Sequence, residues 1–131
     1  MIAVVDASIV VDAITPSRRS AAARALLADY DEWVAPALID AEVISALARL
    51  ERAGQISEKI AGEAVADWAR LNVERVDGAA LVLGAWRLRK AVSSTDAFYV
   101  ALAQSLNCPL IASDRRLARA PIRGISTISP V

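Results

Sequence analysis

Apolar and polar positions divide the chain into short continuous apolar runs and longer stretches with helical periodicity. The first run, Ile2-Ala3-Val4-Val5, ends abruptly at Asp6 and continues as Ala7-Ser8. An uninterrupted apolar run fits a strand buried on both faces, as in a parallel sheet. A carboxylate at its end falls where open α/β sheets place their ligands. Residues 7–14 read as a short apolar connection carrying Asp12, and Thr15-Pro16-Ser17 as the start of a helix running to about Ala28. Trp33-Val34-Ala35 predicts a strand. Pro36 then opens a long helix to about Ala53, stopped by Gly54, with Leu38, Ile39, Val43, Ala46, Leu47 and Leu50 on its inner face.

Ser57 predicts the cap of a helix to about Leu71, and Val73–Val76 a strand. Asp77 reads as the cap of a helix to about Val92 carrying Leu81, Leu83, Trp86 and Leu88. Ser93-Ser94-Thr95 begins a helix from Asp96 to Leu106, closed by Asn107 in a left-handed conformation. Pro109–Ala112 predicts a buried strand, Asp114–Ala120 a short Arg-rich helix, and Ile125–Ile128 a last strand. Strands alternating with helical segments give an α/β fold: a central, mostly parallel sheet of about five strands flanked by helices on both faces. With 131 residues and no linker or repeat, the chain reads as one domain, residues 1–131.

Four acidic residues stand beside or within apolar sequence, where a charge is costly unless compensated: Asp6, Glu42, Asp96 and Asp114. Asp6 and Asp114 follow strands and point to one crevice at the carboxyl edge of the sheet. Glu42 lies one turn after Leu38 and one before Ala46, facing inward, and Asp96 sits in the first turn of its helix. Converging carboxylates repel one another, and a hard divalent cation such as Mg²⁺ or Mn²⁺ resolves the conflict. Such a site suits hydrolysis of a phosphodiester. Ser8, two residues past Asp6, is placed to orient a water. Singly, Asp6, Asp96 and Asp114 each read as helix caps, and the assignment rests on the set. Asp12, Asp40 and Asp77 read as solvated or capping residues, with Asp40 nearest the site.

Composition narrows the chemistry further. The absence of His removes His-based general acid–base catalysis, Ser-His-Asp and Cys-His sites, and His-ligated zinc. Lys plus Arg and Asp plus Glu both number 15, so net charge neither argues for nucleic acid nor against it. Local charge is more informative: Arg115, Arg116 and Arg119 follow Asp114, with Arg123 just beyond, and read either as a solvated helical face or as a phosphate track, which Arg87, Arg89 and Lys90 extend. Trp33, Trp68 and Trp86 fall at core or interface spacing. A hydrophobic fraction of 56% exceeds that of ordinary soluble domains and points to a surface meant for a partner. One cysteine, no signal peptide and no span approaching roughly 20 apolar residues predict a cytoplasmic protein without membrane contact.

Val5-Asp6-Ala7-Ser8, Ala41-Glu42-Val43, the run Thr95-Asp96-Ala97-Phe98-Tyr99-Val100-Ala101-Leu102-Ala103, and Leu110-Ile111-Ala112-Ser113-Asp114-Arg115-Arg116-Leu117 together resemble the PIN-domain ribonucleases. More narrowly they resemble the VapC-type toxins of bacterial toxin–antitoxin pairs, over essentially the whole chain. The resemblance implies a PIN-like fold and a divalent-metal-dependent endoribonuclease. Asp6, Glu42, Asp96 and Asp114 would be its metal-binding and catalytic residues, supported by Ser8, Thr95 and Ser113. It further implies RNA substrates such as tRNA or rRNA, a cognate antitoxin, and a homodimer. One departure lies in the last motif: the family's Thr or Ser two residues before the final Asp is Ala112 here, with Ser113 beside it. Two other readings compete. A Mg²⁺-dependent phosphotransfer or phosphatase domain also places aspartates at strand ends, but Lys59 and Lys90 are not at strand ends and Asp6-Ala7-Ser8 lacks a second Asp. A catalytically silent interaction module would keep the acidic pocket only to bind a partner's Arg.

Overall fold

A computed structural model describes residues 1–113, residue 117 and the backbone of residues 127–128. Five strands form one sheet: β1 (Ile2–Val5), β2 (Glu32–Pro36), β3 (Val73–Val76), β4 (Leu110–Ile111) and β5 (Thr127–Ile128). Their order is β3-β2-β1-β4-β5, and every neighbouring pair is parallel. β1 is the central strand, with Val4 and Val5 opposite Leu110 and Ile111 on one side and Ile2 opposite Glu32 on the other. Ala3, Val4, Val5, Leu110 and Ile111 are fully buried, as the continuous apolar runs require.

Among the described residues the helices are α1 (Ala7–Ile14), α2 (Ser20–Ala28), α3 (Ile39–Arg52), α4 (Glu58–Arg70), α5 (Val82–Arg87) and α6 (Ser94–Leu106), with a 3₁₀ turn at Gly78–Leu81. The chain winds from β1 to β2 to β3, then returns past β1 to β4 and β5. With right-handed crossovers, that reversal puts α1–α4 and α5–α6 on opposite faces. Contacts match this division: α1 packs on α2 and α3, α3 on α4, and α5 on α6, which lies against β1, β2 and β4. The reversal makes the gap between β1 and β4 the topological switch point, where a crevice opens beyond the strand ends.

Several boundaries depart from the sequence reading. Residues 7–14 form a helix, not a connection, because Asp6 is its N-cap: the backbone there is extended (φ −84°, ψ 154°) and the side chain accepts from Ser8 N–H. The second helix begins at Ser20, three residues past Ser17. Pro36 ends β2 instead of opening a helix, since its ring nitrogen needs no ladder partner and its neighbour Ala37 N–H donates to Val76 O. The stretch from Asp77 to Val92 is a 3₁₀ turn followed by the six-residue α5, and Asp77 makes no side-chain cap bond. Ser57 does cap α4, accepting from Ile60 N–H at 3.1 Å. Gly54 (φ +74°) and Asn107 (φ +50°) take the left-handed conformations expected of them. No helix among the described residues is long and apolar enough to cross a membrane.

Trp68 is buried and Trp33 partly so, each donating its indole N–H, to Asp40 and to Leu27 O respectively. Trp86 is not a core residue. It is 63% exposed with the Arg89 guanidinium 4.1 Å above its ring, and Val82 and Leu83 beside it are also exposed. Part of the apolar excess therefore lies on α5, because a helix of six residues can turn only one narrow face inward.

Candidate active site

The crevice at the switch point is a cleft of about 1550 Å³, and Asp6, Ser8, Glu42, Thr95, Asp96 and Ser113 all line it. Each is held by the local structure that carries it. Asp6 sits between β1 and α1, its N–H bonded to Ile111 O at 2.9 Å, so the end of the central strand is fastened to β4. One carboxylate oxygen, Oδ2, accepts from Ser8 N–H at 3.1 Å and from Ser8 Oγ. Ser8 Oγ in turn accepts from Ser113 N–H at 2.9 Å. This chain of bonds fixes the hydroxyl between the carboxyl ends of β1 and β4. Glu42 lies in the first turn of α3, half-buried, and accepts at Oε1 from the Tyr99 hydroxyl at 2.6 Å. Tyr99 is completely buried on α6, so one rigid helix positions both Asp96 and the donor to Glu42. Ser93 caps that helix by accepting from Asp96 N–H at 3.3 Å, which leaves the Asp96 carboxylate for the cleft.

The electrostatics follow from this geometry. Burial lifts the Asp6 carboxyl from 3.8 to about 6; the Ser8 hydrogen bonds oppose the rise, and the charges of Glu42 and Asp96 add a smaller push. Glu42 is raised for the same first reason, burial, with Tyr99 opposing and Asp96 adding to it. The Tyr99 phenol is pushed far above its usual range by burial and by Glu42, so it remains a donor. Two further polar atoms, Asp12 Oδ2 and Ser113 Oγ, are buried with no hydrogen-bond partner among the described residues. Both residues line the same cleft.

The structure therefore brings together three of the four acidic residues singled out in the sequence. Asp114 lies outside the described residues, as do Arg115, Arg116 and Arg119. Arg87, Arg89 and Lys90 do not line the cleft. The expectation for the secondary aspartates is reversed: Asp40 is turned away, paired with Arg75 at 2.8 Å and with the Trp68 indole, whereas Asp12 borders the site. Once residues 7–14 are helical, Ser8 and Asp12 fall one turn apart on the same side, and the helix was what the sequence reading lacked. Three arginines of the lining, Arg18, Arg19 and Arg49, were also missed.

Whether a divalent metal suits these residues can be judged from the donors. The lining offers carboxylate and hydroxyl oxygens and neither His nor Cys, a hard donor set. An anionic Asp6, buried and pressed by two neighbouring carboxylates, needs a cation to offset it. Among the described residues no three carboxylates close into a metal-holding group by themselves. A Mg²⁺-like ion held there by carboxylates would complete its octahedron with waters and substrate phosphate oxygens. The residues fit such an ion.

Comparison with known proteins places this arrangement. The profile of the PIN domain family matches residues 3–122. Ribonuclease VapC3 of Mycobacterium tuberculosis is 42% identical over 118 residues, covering 89% of this chain and 85% of that protein. The crystal structure of VapBC2 from Rickettsia felis, bound to a DNA fragment from their promoter, superimposes with a TM-score of 0.69 at 17% identity, covering all of both chains. Mycobacterium tuberculosis VapC20, a Sarcin-Ricin loop cleaving toxin, does so with a TM-score of 0.66 at 20% identity over 86% of this chain and 89% of that one. A strand-end aspartate at the switch point of a parallel sheet, faced by Glu42 and Asp96, is thus set in a chain that belongs to the PIN-domain family and, within it, to the VapC ribonucleases.

Proposed function

We propose that this chain is a divalent-metal-dependent endoribonuclease, the toxin of a toxin–antitoxin pair, which hydrolyses RNA phosphodiester bonds. The single observation that carries the reading is the buried Asp6 at the switch point, facing Glu42 and Asp96 within one open cleft. The relationship to ribonuclease VapC3 supports it. Asp6, Glu42 and Asp96, with Asp114, hold the metal, Mg²⁺ or Mn²⁺. A divalent ion bound there would lower the pKa of a water and neutralise charge on the scissile phosphate and leaving oxygen.

The chain's own residues do the rest. Ser8 occupies one oxygen of Asp6 and leaves the other for the ligand. Tyr99 fixes the rotamer of Glu42. Ser113, whose buried hydroxyl meets no partner among the described residues, and the exposed Thr95 line the cleft to hold waters or substrate oxygens. Arg115, Arg116 and Arg119 bind flanking phosphates. Single-stranded or looped RNA, such as the loops of tRNA or rRNA, is the substrate class, in line with the Sarcin-Ricin loop cleaved by VapC20. An antitoxin is the partner, as the VapBC2 assembly suggests, and the chain acts as a cytoplasmic homodimer. The phosphotransfer alternative gains no support, because neither Lys59 nor Lys90 lines the cleft.

The decisive experiment is cleavage-site mapping on total cellular RNA with Mg²⁺, with Mn²⁺ and with chelator. Discrete cuts are expected with either metal and none with chelator or with Asp96→Asn. Equal cutting by wild type and Asp96→Asn would assign the activity to a contaminant.

A further inference from the structure

The cleft has a chemistry that its acidic end does not use. Arg18, Arg19 and Arg49 line it, all three are exposed, and none has an ion pair or a side-chain hydrogen bond among the described residues. Other arginines are engaged: Arg70 with Asp67, Arg75 with Asp40, Arg24 with Ala13 O and Ser20.

Helix geometry places these cations at a distance from the carboxylates. Arg49 follows Glu42 by seven residues on α3, which returns it to the same face two turns on, roughly 10 Å along the axis. Ala46, between them, lines the cleft as well. Arg18 and Arg19 lie just past the carboxyl end of α1, whose amino end is capped by Asp6 and whose eight residues span roughly 12 Å. α1 packs against α3. The cleft thus runs along two adjacent helices, with Asp6 and Glu42 at their amino ends, Asp12 partly buried along α1, and the three exposed arginines beyond or near their carboxyl ends.

No aromatic side chain is among the described lining residues, so the cleft offers no ring on which a base could stack. What it offers is guanidinium groups, which pair with phosphate in bidentate fashion. Resting on the ribonuclease reading, we propose that Arg18, Arg19 and Arg49 form a track for the sugar-phosphate backbone of single-stranded RNA. The track seats the strand that flanks the scissile phosphate and holds it without regard to base. An acidic protein segment would meet the same three cations, but RNA is the better fit because its phosphates recur at a regular spacing along the strand and the far end of the cleft is read as hydrolysing one of them.

The test compares wild type with Arg18→Gln/Arg19→Gln/Arg49→Gln, with the corresponding triple Lys variant, and with Arg70→Gln as loss of a single arginine outside the cleft. Binding of a labelled oligouridylate is followed by anisotropy in chelator across a salt series, and cleavage is measured with Mg²⁺. Each lost phosphate contact shallows the dependence of log K on log salt by about 0.7 for a single strand, so the Gln variant should lose about 2 from the slope. Its KM should rise at least tenfold with kcat within about twofold, while the Lys variant keeps the slope and Arg70→Gln matches wild type. A Gln variant with wild-type slope and KM overturns the track, as does one that loses only its grip on a protein partner. If wild type itself neither binds nor cuts RNA, the ribonuclease reading falls and takes the track with it; if wild type cuts and the Gln variant is unimpaired, the track alone falls. Melting curves confirm folding, which three exposed side chains should leave intact.

Discussion

At Asp6 a helix cap and a buried charge share one carboxylate, and the two uses pull stability in opposite directions. Capping α1 favours the folded chain, whereas ionising a buried acid opposes it. The sign of the pH dependence follows. Because the folded carboxyl titrates near 6 against 3.8 ordinarily, the folded state holds the proton more tightly than the unfolded state. Below about pH 4 both states are protonated and nothing is lost. Between about 4 and 6 stability falls as pH rises, and above that the full penalty, about 3 kcal/mol, applies. Asp6→Asn keeps a capping side chain and removes the charge. In chelator it should therefore be more stable than wild type at pH 7 by up to about 3 kcal/mol, with the difference vanishing near pH 4, while cleaving no RNA. Urea melts at the two pH values check this, and an advantage that ignores pH would remove the buried-charge argument. Tyr99→Phe makes a separate point: losing the donor to Glu42 should lower kcat/KM by about 10–100-fold with only about 1 kcal/mol of stability lost. Steady-state kinetics beside thermal melts would separate the two effects.

Among the elements, α5 is the tightest fit for the least structure. An ideal Cβ on Gly84 would lie 3.1 Å from Ala101 Cβ on α6, so the two helices touch through a missing side chain. Gly84→Val should force them apart and destabilise the chain by about 1–3 kcal/mol, read from chemical denaturation; an unchanged midpoint would mean that α5 gives way freely. Legibility in the sequence also varied by element. β1, β2 and β4 were plain because continuous apolar runs leave few alternatives, and α4 and α6 because Ser57, Ser93 and Asn107 mark their ends. α1 was not, because a capping Asp and a strand-ending Asp look alike until the next eight residues are seen to coil. The segment after Asp77 failed for another reason: Leu83 and Trp86 have helical spacing but face outward, and periodicity alone does not say which way a face turns. The same distinction governed the site. Asp6, Glu42 and Asp96 were visible as charges out of place in apolar sequence. Arg18, Arg19 and Arg49 are ordinary exposed arginines whose placement depends on how α1 docks on α3, and Asp12 came into view only once α1 was a helix.

For the molecule as a whole, the acidic cleft ties folding stability to its ligand. A divalent ion that binds only the folded chain should raise stability by about 2.7 kcal/mol at a hundredfold excess over its Kd, offsetting most of the Asp6 penalty. Thermal melts in rising Mg²⁺ should show it for wild type and far less for Asp6→Asn, and equal shifts would place the ion elsewhere. The sheet order adds a consequence for how the protein comes into being. The site needs β1 and β4 side by side, and the bond from Ser113 N–H to Ser8 Oγ closes a loop of 105 positions. A nascent chain still short of Leu110 has Asp6, Glu42 and Asp96 but neither the strand that fastens Asp6 nor Ser113 beyond it. During synthesis the chain therefore cannot assemble the cleft until the segment carrying β4 and Ser113 has been made, however early Asp6 and Glu42 emerge.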